Sequence, residues 1–272
     1  MPDVRKLPVA EGVSLHALVW ADGPKRPFVL VHGLSSNCRT WEQVAERLHD
    51  AGHPVAAVDL RGHGLSDKPE DGYDFETLVA DLRGVIAALA YEGAVIVGQS
   101  TGGNLAVELA YRASELVSGA VGVDGGAIEL SARWPVWEDC ESALAPPRLA
   151  GASFPDVARW IREAHPDWSD VGMAATLANL EIVPGDTITV RPWLTYERHM
   201  RLLRALWEHH PTAVVPLLTV PMLLVNAVRR GHESPAAVAA GANVRVEWLA
   251  GDHDLHVQQP ARVADLVLDF VS

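Results

Sequence analysis

One short stretch decides the fold predicted for this chain: Ala94-Val95-Ile96-Val97-Gly98-Gln99-Ser100-Thr101-Gly102. Its first four residues are apolar and mostly β-branched, which is typical of a short buried strand. Helical spacing follows over residues 102–112, so the serine stands where a strand ends and a helix begins. Small residues two positions before and after the serine allow the sharp turn that exposes a nucleophilic hydroxyl. We therefore predict that Ser100 is a nucleophile on a strand–turn–helix junction.

The same alternation of short apolar runs and helical patterns extends on both sides of this stretch. Strands are predicted over 28–31, 54–58, 94–97, 117–123, 221–225 and 244–249, and helices over 40–50, 75–90, 102–112, 235–241 and 261–271. Strands that are apolar throughout and separated by helices indicate a sheet buried on both faces. The fold class predicted is therefore α/β, with a mostly parallel, doubly wound sheet that begins with an antiparallel pair over 4–9 and 13–20.

This rhythm breaks between residues 128 and 215. The stretch shows no clear strand, many proline breaks and short helical pieces, of which the clearest covers 193–209. The sequence therefore predicts an α/β core of residues 1–127 and 216–272, interrupted by a helical cap or lid insertion over 128–215.

Composition narrows the function classes. The 272 residues include 22 Lys and Arg against 35 Asp and Glu, a net charge of −13 that disfavours nucleic acid as a partner. No apolar run reaches the ~18–20 residues of a membrane span, and the first residues are polar. Cys38 and Cys140 form neither a disulfide framework nor a zinc spacing. We expect a cytoplasmic protein that takes a small-molecule substrate and has no metal, no cofactor and no membrane partner; the oligomeric state is left open.

A serine nucleophile needs a general base, and His253 is the favoured candidate. It lies in Gly251-Asp252-His253-Asp254, directly after the last predicted strand. Because the carboxyl ends of parallel strands open on one edge of a sheet, Ser100 and His253 can meet there. His256 is the competitor, with capping or packing of the last helix as its alternative role. Five other histidines are predicted to be solvated: His49, His53, His165, His209 and His210.

Four ordered motifs carry a resemblance to the α/β-hydrolase superfamily. They are Val31-His32-Gly33-Leu34, Asp59-Leu60-Arg61-Gly62-His63-Gly64-Leu65-Ser66, the Gly98–Gly102 stretch and Gly251-Asp252-His253. The resemblance covers 1–127 and 216–272, implies a capped serine hydrolase, and puts the cap where residues 128–215 lie. The Gln-Ser-x-Gly-Gly-Asn stretch is similar to that of uncharacterised actinobacterial hydrolases, which indicates no substrate.

The resemblance also implies a carboxylate that orients the base, and here the chain departs from the common pattern. After the strand that follows the cap, Arg229 and Arg230 stand at the offset where many members carry the acid, and Glu233 follows nearby. A second arrangement puts the acid at the end of the strand before the cap, where Asp124 stands. We favour Asp124 and keep Glu233 as the alternative; capping of the first cap helix is the other role open to Asp124.

Two backbone amides are expected to hold the oxyanion. Thr101 follows the nucleophile at a helix N-terminus, where amides lack helical partners. The resemblance implies Leu34 as the second donor. These donors are main-chain groups, so the side-chain identities matter little.

Tryptophan is concentrated in the predicted cap, which holds six of the nine in about a third of the chain. One interpretation is that a small helical cap needs large residues for its own core. The other is that some of them line a pocket for an apolar or aromatic substrate, with Trp134, Trp137 and, on the last cap helix, His199 as candidates.

These residues lead to three functional hypotheses. The first is a serine hydrolase that cleaves a carboxylic ester or lactone of a small apolar substrate through an acyl-enzyme. The second uses the same triad for carbon–carbon bond hydrolysis, amide cleavage, acyl transfer or perhydrolysis. The third is a non-catalytic ligand-binding protein on this scaffold. It stays an alternative because no acid stands at the common position after the cap.

Overall fold

The computed structural model describes residues 1–228 and 243–272. Its strands are β1 (Asp3–Ala10), β2 (Val13–Trp20), β3 (Phe28–Val31), β4 (Val55–Val58), β5 (Ala94–Gln99), β6 (Val117–Val123), β7 (Leu180–Val183), β8 (Thr189–Pro192), β9 (Met222–Val228) and β10 (Val244–Ala250). Its helices are α1 (Glu42–Asp50), α2 (Phe75–Leu89), α3 (Thr101–Arg112), α4 (Leu130–Arg133), α5 (Trp137–Leu144), α6 (Phe154–Ala164), α7 (Asp170–Leu177), α8 (Tyr196–Glu208), α9 (Pro211–Val214), α10 (Leu255–Gln258) and α11 (Pro260–Phe270).

Eight of these strands form one sheet in the order β1-β2-β4-β3-β5-β6-β9-β10. β2 pairs antiparallel with both β1 and β4, and every other pair is parallel. The predicted α/β class, the mostly parallel sheet and its antiparallel start are confirmed. β5 lies inside the sheet, so the turn after Gln99 opens at the carboxyl edge between the ends of β3 and β6.

Both faces of the sheet are covered by helices. Successive strand residues point to opposite faces, and β5 shows this directly. Val95 and Val97 belong to the core cluster that includes Trp41 and residues of α1 and α11. Ile96 belongs to the cluster on the other face, with residues of α2 and α3. Burial on both faces is the reason why β5 is apolar without alternation.

Residues 128–215, here called the insert, leave the sheet after β6 and return at β9. The insert contains α4 to α9, and it also contains β7 and β8, which pair as an antiparallel hairpin. The expectation of no strand in this stretch was therefore wrong, because a two-stranded ribbon of four residues a side gives little periodicity. α8 begins at Tyr196, after the predicted start, since the Thr195 side chain caps it by accepting from Arg198 N.

Several other predictions concern residues that the structure describes. His53 and His209 are buried, so the prediction that they are solvated was wrong. Cys38 and Cys140 are buried free thiols. Among residues 1–228 and 243–272, no helix combines the length and apolarity that crossing a bilayer requires. The predicted helix over 235–241 and the residues Arg229, Arg230 and Glu233 lie outside the described residues.

Candidate active site

Ser100 occupies a strained turn between β5 and α3. Its φ of 52° and ψ of −121° lie outside the regions that non-glycine residues favour. The turn brings backbones so close that a side chain at Gly98 would collide with the carbonyl of Gly102, and one at Gly102 with that of Val31. The Ser100 amide donates to the Val123 carbonyl in β6 at 3.1 Å. Neighbouring strands therefore fix the conformation in which the serine is presented.

His253 and Asp124 are in direct contact. Nδ1 of His253 lies 2.5 Å from Oδ2 of Asp124, and the other carboxylate oxygen accepts from the Ala227 amide at 3.0 Å. Since a carboxylate oxygen accepts, the shared proton belongs to Nδ1 of His253. Asp124 itself has a positive φ of 41°, at the turn that follows β6. The structure thus brings together the two residues that sequence analysis favoured as base and acid.

Gln99 ties the histidine loop to the serine turn. Its Nε2 donates to the His253 carbonyl at 3.1 Å, and the next residue in the chain is Ser100. Val123, whose carbonyl accepts from Ser100, is followed by Asp124. Ser100, His253 and Asp124 therefore all lie at one edge of the sheet, as their strand ends predict.

The loop after β3 lies beside this edge. A Cβ placed on Gly33 would lie 3.0 Å from the Cβ of Ser100. Nε2 of His32 accepts from the Leu60 amide at 3.0 Å, so Nδ1 carries the proton and donates to the Gly33 carbonyl at 2.7 Å. That carbonyl belongs to the same planar peptide unit as the Leu34 amide. His32 therefore orients the Leu34 N–H by holding the opposite end of its peptide group.

The amide after Leu34 is already used. Ser35 N donates to Nε2 of His63 at 3.3 Å, and Nδ1 of His63 donates to the Arg61 carbonyl at 3.0 Å. Burial lowers the pKa of His63 to about 3, so the ring is neutral near pH 7 and can accept. This leaves Leu34, and not Ser35, as the loop amide that could serve an oxyanion. Thr101 supplies the other candidate as the first residue of α3.

A cavity of about 740 Å³ lies between the insert and this edge of the sheet. From the core it is lined by Ser35, Ser36, His63, Gly64 and Asp254. From the insert it is lined by aromatic residues that include Trp160, Trp168, Trp193, Tyr196 and His199, by other apolar residues, and by polar and charged residues that include Arg148, Asn179, Arg191 and Glu197. Ser100 is buried, with 8% of its surface exposed, and is not among the lining residues. The cavity comes nearest to the candidate site in the chain at Ser35 and Asp254, which are the sequence neighbours of Leu34 and His253.

The three residues predicted to bind substrate separate in the structure. His199 lines the cavity, and burial lowers its pKa to about 4. Trp134 and Trp137 do not line this cavity. The Trp134 carbonyl accepts from Nε1 of Trp207, and Trp137 meets Trp207 edge to face with 5.9 Å between ring centroids. Trp137 therefore packs against α8, and Trp134 meets Trp207 through its main chain. Such contacts within the insert are what the alternative interpretation of these tryptophans expects.

His256, the competitor for the role of base, is buried in α10. Its ring lies 4.4 Å from that of Trp41 between centroids. Burial lowers its pKa to about 3, with the nearby His253 as a smaller cause. The side chain therefore packs α10 against Trp41. This is a packing role, but in α10 and not in the last helix, where the alternative role put it.

A buried cluster of metal-ligand types lies behind the loop after β3. Ligand atoms of His16, Cys38 and Asp59 lie within 4.8 Å of one another. Burial alone would raise the pKa of the Asp59 carboxyl, but hydrogen bonds from His16 and from two amides hold it well below its usual range. Burial and the Asp59 charge raise the pKa of the Cys38 thiol. With both carboxylate oxygens already accepting, the cluster serves as a hydrogen-bond hub for the loop.

Sequence analysis missed Gln99, Ser35 and His63 as parts of the site. Gln99 and His63 lie inside motifs that were recognised, and Ser35 directly follows one. Their contacts join segments far apart in the chain, and local sequence carries no signal of such pairings.

Comparison with known proteins gives three findings. The profile of the alpha/beta hydrolase family matches residues 28–266. The 2-(acetamidomethylene)succinate hydrolase of Mesorhizobium japonicum is 38% identical over 112 residues, which are 41% of this chain and 39% of that protein. The matched segments span about two fifths or less of the length of this relative and of two further curated relatives.

Solved structures match over the whole chain. The structure of E-2-(acetamidomethylene)succinate hydrolase has a TM-score of 0.82 and 25% identity, covering 100% of this chain and 99% of that one. The enol-lactonase from Burkholderia xenovorans LB400 has a TM-score of 0.68 and 21% identity, covering 97% and 99%. The second likeness concerns the fold alone.

Proposed function

Because the chain belongs to the alpha/beta hydrolase family, we propose that it is a serine hydrolase that cleaves a carboxylic ester or lactone through an acyl-enzyme. The observation that carries this proposal is the 2.5 Å contact between His253 and Asp124, at the same edge of the sheet as a serine in a strained turn. A base oriented by a carboxylate, next to an activated hydroxyl, is the arrangement that acyl transfer to serine requires.

Each residue then has a role in the proposed reaction. Ser100 Oγ attacks the acyl carbon while Nε2 of His253 takes its proton, and Asp124 stabilises the resulting imidazolium. The amides of Leu34 and Thr101 hold the oxyanion. When the tetrahedral intermediate collapses, His253 returns the proton to the leaving alkoxide. Water attacks the acyl-enzyme in the same way, giving its proton to His253, and Ser100 leaves with that proton.

The size and the lining of the cavity favour a substrate of moderate size with an apolar or aromatic part. Its volume of about 740 Å³ falls within the usual range for small-molecule sites, ~300–1,000 Å³. Trp160, Trp168 and Trp193 supply apolar wall. Asn179, Arg148 and Arg191 supply polar and charged groups. We propose a small-molecule substrate whose acyl carbon reaches Ser100 past Ser35 and Asp254.

The test combines labelling and turnover. A fluorophosphonate probe should label Ser100 in the wild type and fail with Ser100→Ala, and the same substitution should abolish hydrolysis of short p-nitrophenyl esters. The panel should include 2-(acetamidomethylene)succinate and an enol lactone, the compounds named for two similar proteins. Unlabelled Ser100 together with unchanged turnover in Ser100→Ala would reject the proposal.

A further inference from the structure

Two side-chain pairs join the insert to the loop after β3: Asn37 Nδ2 donates to Asn179 Oδ1, and Ser35, next to Leu34, meets His199. Oγ of Ser35 lies 2.6 Å from Nδ1 of His199, and 164 positions separate the two residues. His199 lies on α8 within the insert, and Ser35 directly follows Leu34. The histidine is 6% exposed, so water competes little for this hydrogen bond.

Ser35 holds an unfavourable backbone conformation at this point. Its φ of 61° lies in the left-handed region, which a non-glycine residue adopts only when the surroundings enforce it. Two contacts enforce it here: the amide donates to His63, and the hydroxyl meets His199. On the other side of Leu34, His32 holds the Gly33 carbonyl. Leu34 therefore lies between residues that three histidines fix, two from the core and one from the insert.

We propose that His199 is a positioning residue for the hydrolytic reaction: through Ser35 it lets the insert fix the loop that carries the Leu34 amide. This inference rests on the proposed function, since it assigns that amide to the oxyanion. Its consequence is that the insert contributes to the hydrolytic step as well as to binding. Binding energy gained from contacts in the cavity can then stabilise the transition state.

The position of the pair in the cavity supports this link. Ser35 and His199 both line the cavity, so the pair that holds the loop borders the space that a substrate would fill. Burial keeps the pKa of His199 at about 4, so the ring is neutral near pH 7. Removing it therefore takes away a hydrogen bond between neutral groups and leaves no uncompensated charge.

The experiment is a double-mutant cycle on the pair. Ser35→Ala and His199→Leu each remove one partner, and His199→Asn keeps a polar group near the place of Nδ1. With a p-nitrophenyl ester, we expect each single removal to lower kcat by about 10-fold, a partial version of losing an oxyanion donor, and to change KM less than about 2-fold. The double variant should be no slower than the worse single one. His199→Asn should recover most of the loss.

A second readout separates positioning from folding. A boronic acid that forms a tetrahedral adduct with Ser100 should bind about 10-fold more weakly to Ser35→Ala, while the carboxylic acid product binds as before. His210→Asn repeats the His199→Asn substitution at an exposed histidine near the end of the insert. It should leave the affinities for the boronic acid and for the product unchanged. If His199→Leu fails to fold, Ser35→Ala and His199→Asn still give the comparison.

Distinct results overturn the two proposals. Losses that add in the double variant, or that appear only in KM, would contradict positioning by His199 while the wild type still labels and turns over. A wild type that is neither labelled nor active would remove the proposed function and this inference together.

Discussion

Oδ2 of Asp124 lies 2.5 Å from Nδ1 of His253, although 129 positions separate the two residues in the sequence. Asp124 follows β6 and His253 follows β10, and β9 lies between these strands in the sheet. The Ala227 amide of β9 donates to the other oxygen of Asp124. The intervening strand thus holds the carboxylate at the distance that the histidine needs.

Asp124→Asn should keep the fold and lose most of the activity. The amide can still accept from Ala227 N but can favour the wrong tautomer of His253, so we expect kcat to fall by about 10³–10⁴-fold. Steady-state kinetics with a p-nitrophenyl ester measure this, and Asp252→Asn, at an exposed carboxylate one residue before His253, is the matched control. Should Asp124→Asn stay active while Glu233→Gln does not, Glu233 would be the orienting acid.

The fall of activity at acid pH should follow the uptake of a single proton. Burial lowers the pKa of His63, His199 and His256 to about 3, 4 and 3, so these rings stay neutral from about pH 5 upward. Activity should fall as the pH drops because His253 must be unprotonated to accept the Ser100 proton. A plot of log kcat/KM against pH should have a slope near one in this range.

Asp254 is the control for this profile. It neighbours His253 in the chain, and burial raises the pKa of its carboxyl. Asp254→Asn removes that titration, so an acid limb that survives in the variant belongs to another group, as expected for His253. A limb that disappears would assign it to Asp254 instead.

Gln99→Leu should slow catalysis without changing the specificity for the acyl group. The substitution keeps the approximate size but removes the donor to the His253 carbonyl, so the loop that carries the base loses one fixed contact. A net hydrogen bond of about 1 kcal/mol corresponds to a loss of roughly 5-fold in kcat. Kinetics on two esters of different acyl length measure it, and unequal losses would indicate a direct contact of Gln99 with substrate.

Two tryptophans of the insert should behave differently. Trp160 lines the cavity, whereas Trp137 packs against Trp207. Trp160→Ala should raise KM for a bulky aromatic ester by about 10-fold, since the lost apolar contact is worth ~1–2 kcal/mol. Trp137→Ala should lower the thermal midpoint and leave KM unchanged. The reverse pattern would restore Trp137 as a substrate-binding residue.

The sequence alone predicts the features that depend on neighbouring residues. The strand at 94–97 and the helix after Ser100 follow from local apolar spacing and small residues. The parallel sheet follows from strands that are apolar on both faces. His253 could be chosen among twelve histidines because it directly follows a predicted strand. In contrast, the β7–β8 hairpin is too short to show a period.

Tertiary structure decided which distant side chains meet. No spacing relates Asp124 to His253, Gln99 to the His253 carbonyl, or Ser35 to His199, because each contact joins segments that only the folded sheet and insert bring together. The same holds for Trp134 and Trp137, whose large apolar surface can be buried equally well in a pocket or between helices. Local sequence encodes conformation through short-range sterics and periodicity, whereas the pairing of remote groups depends on how the elements pack.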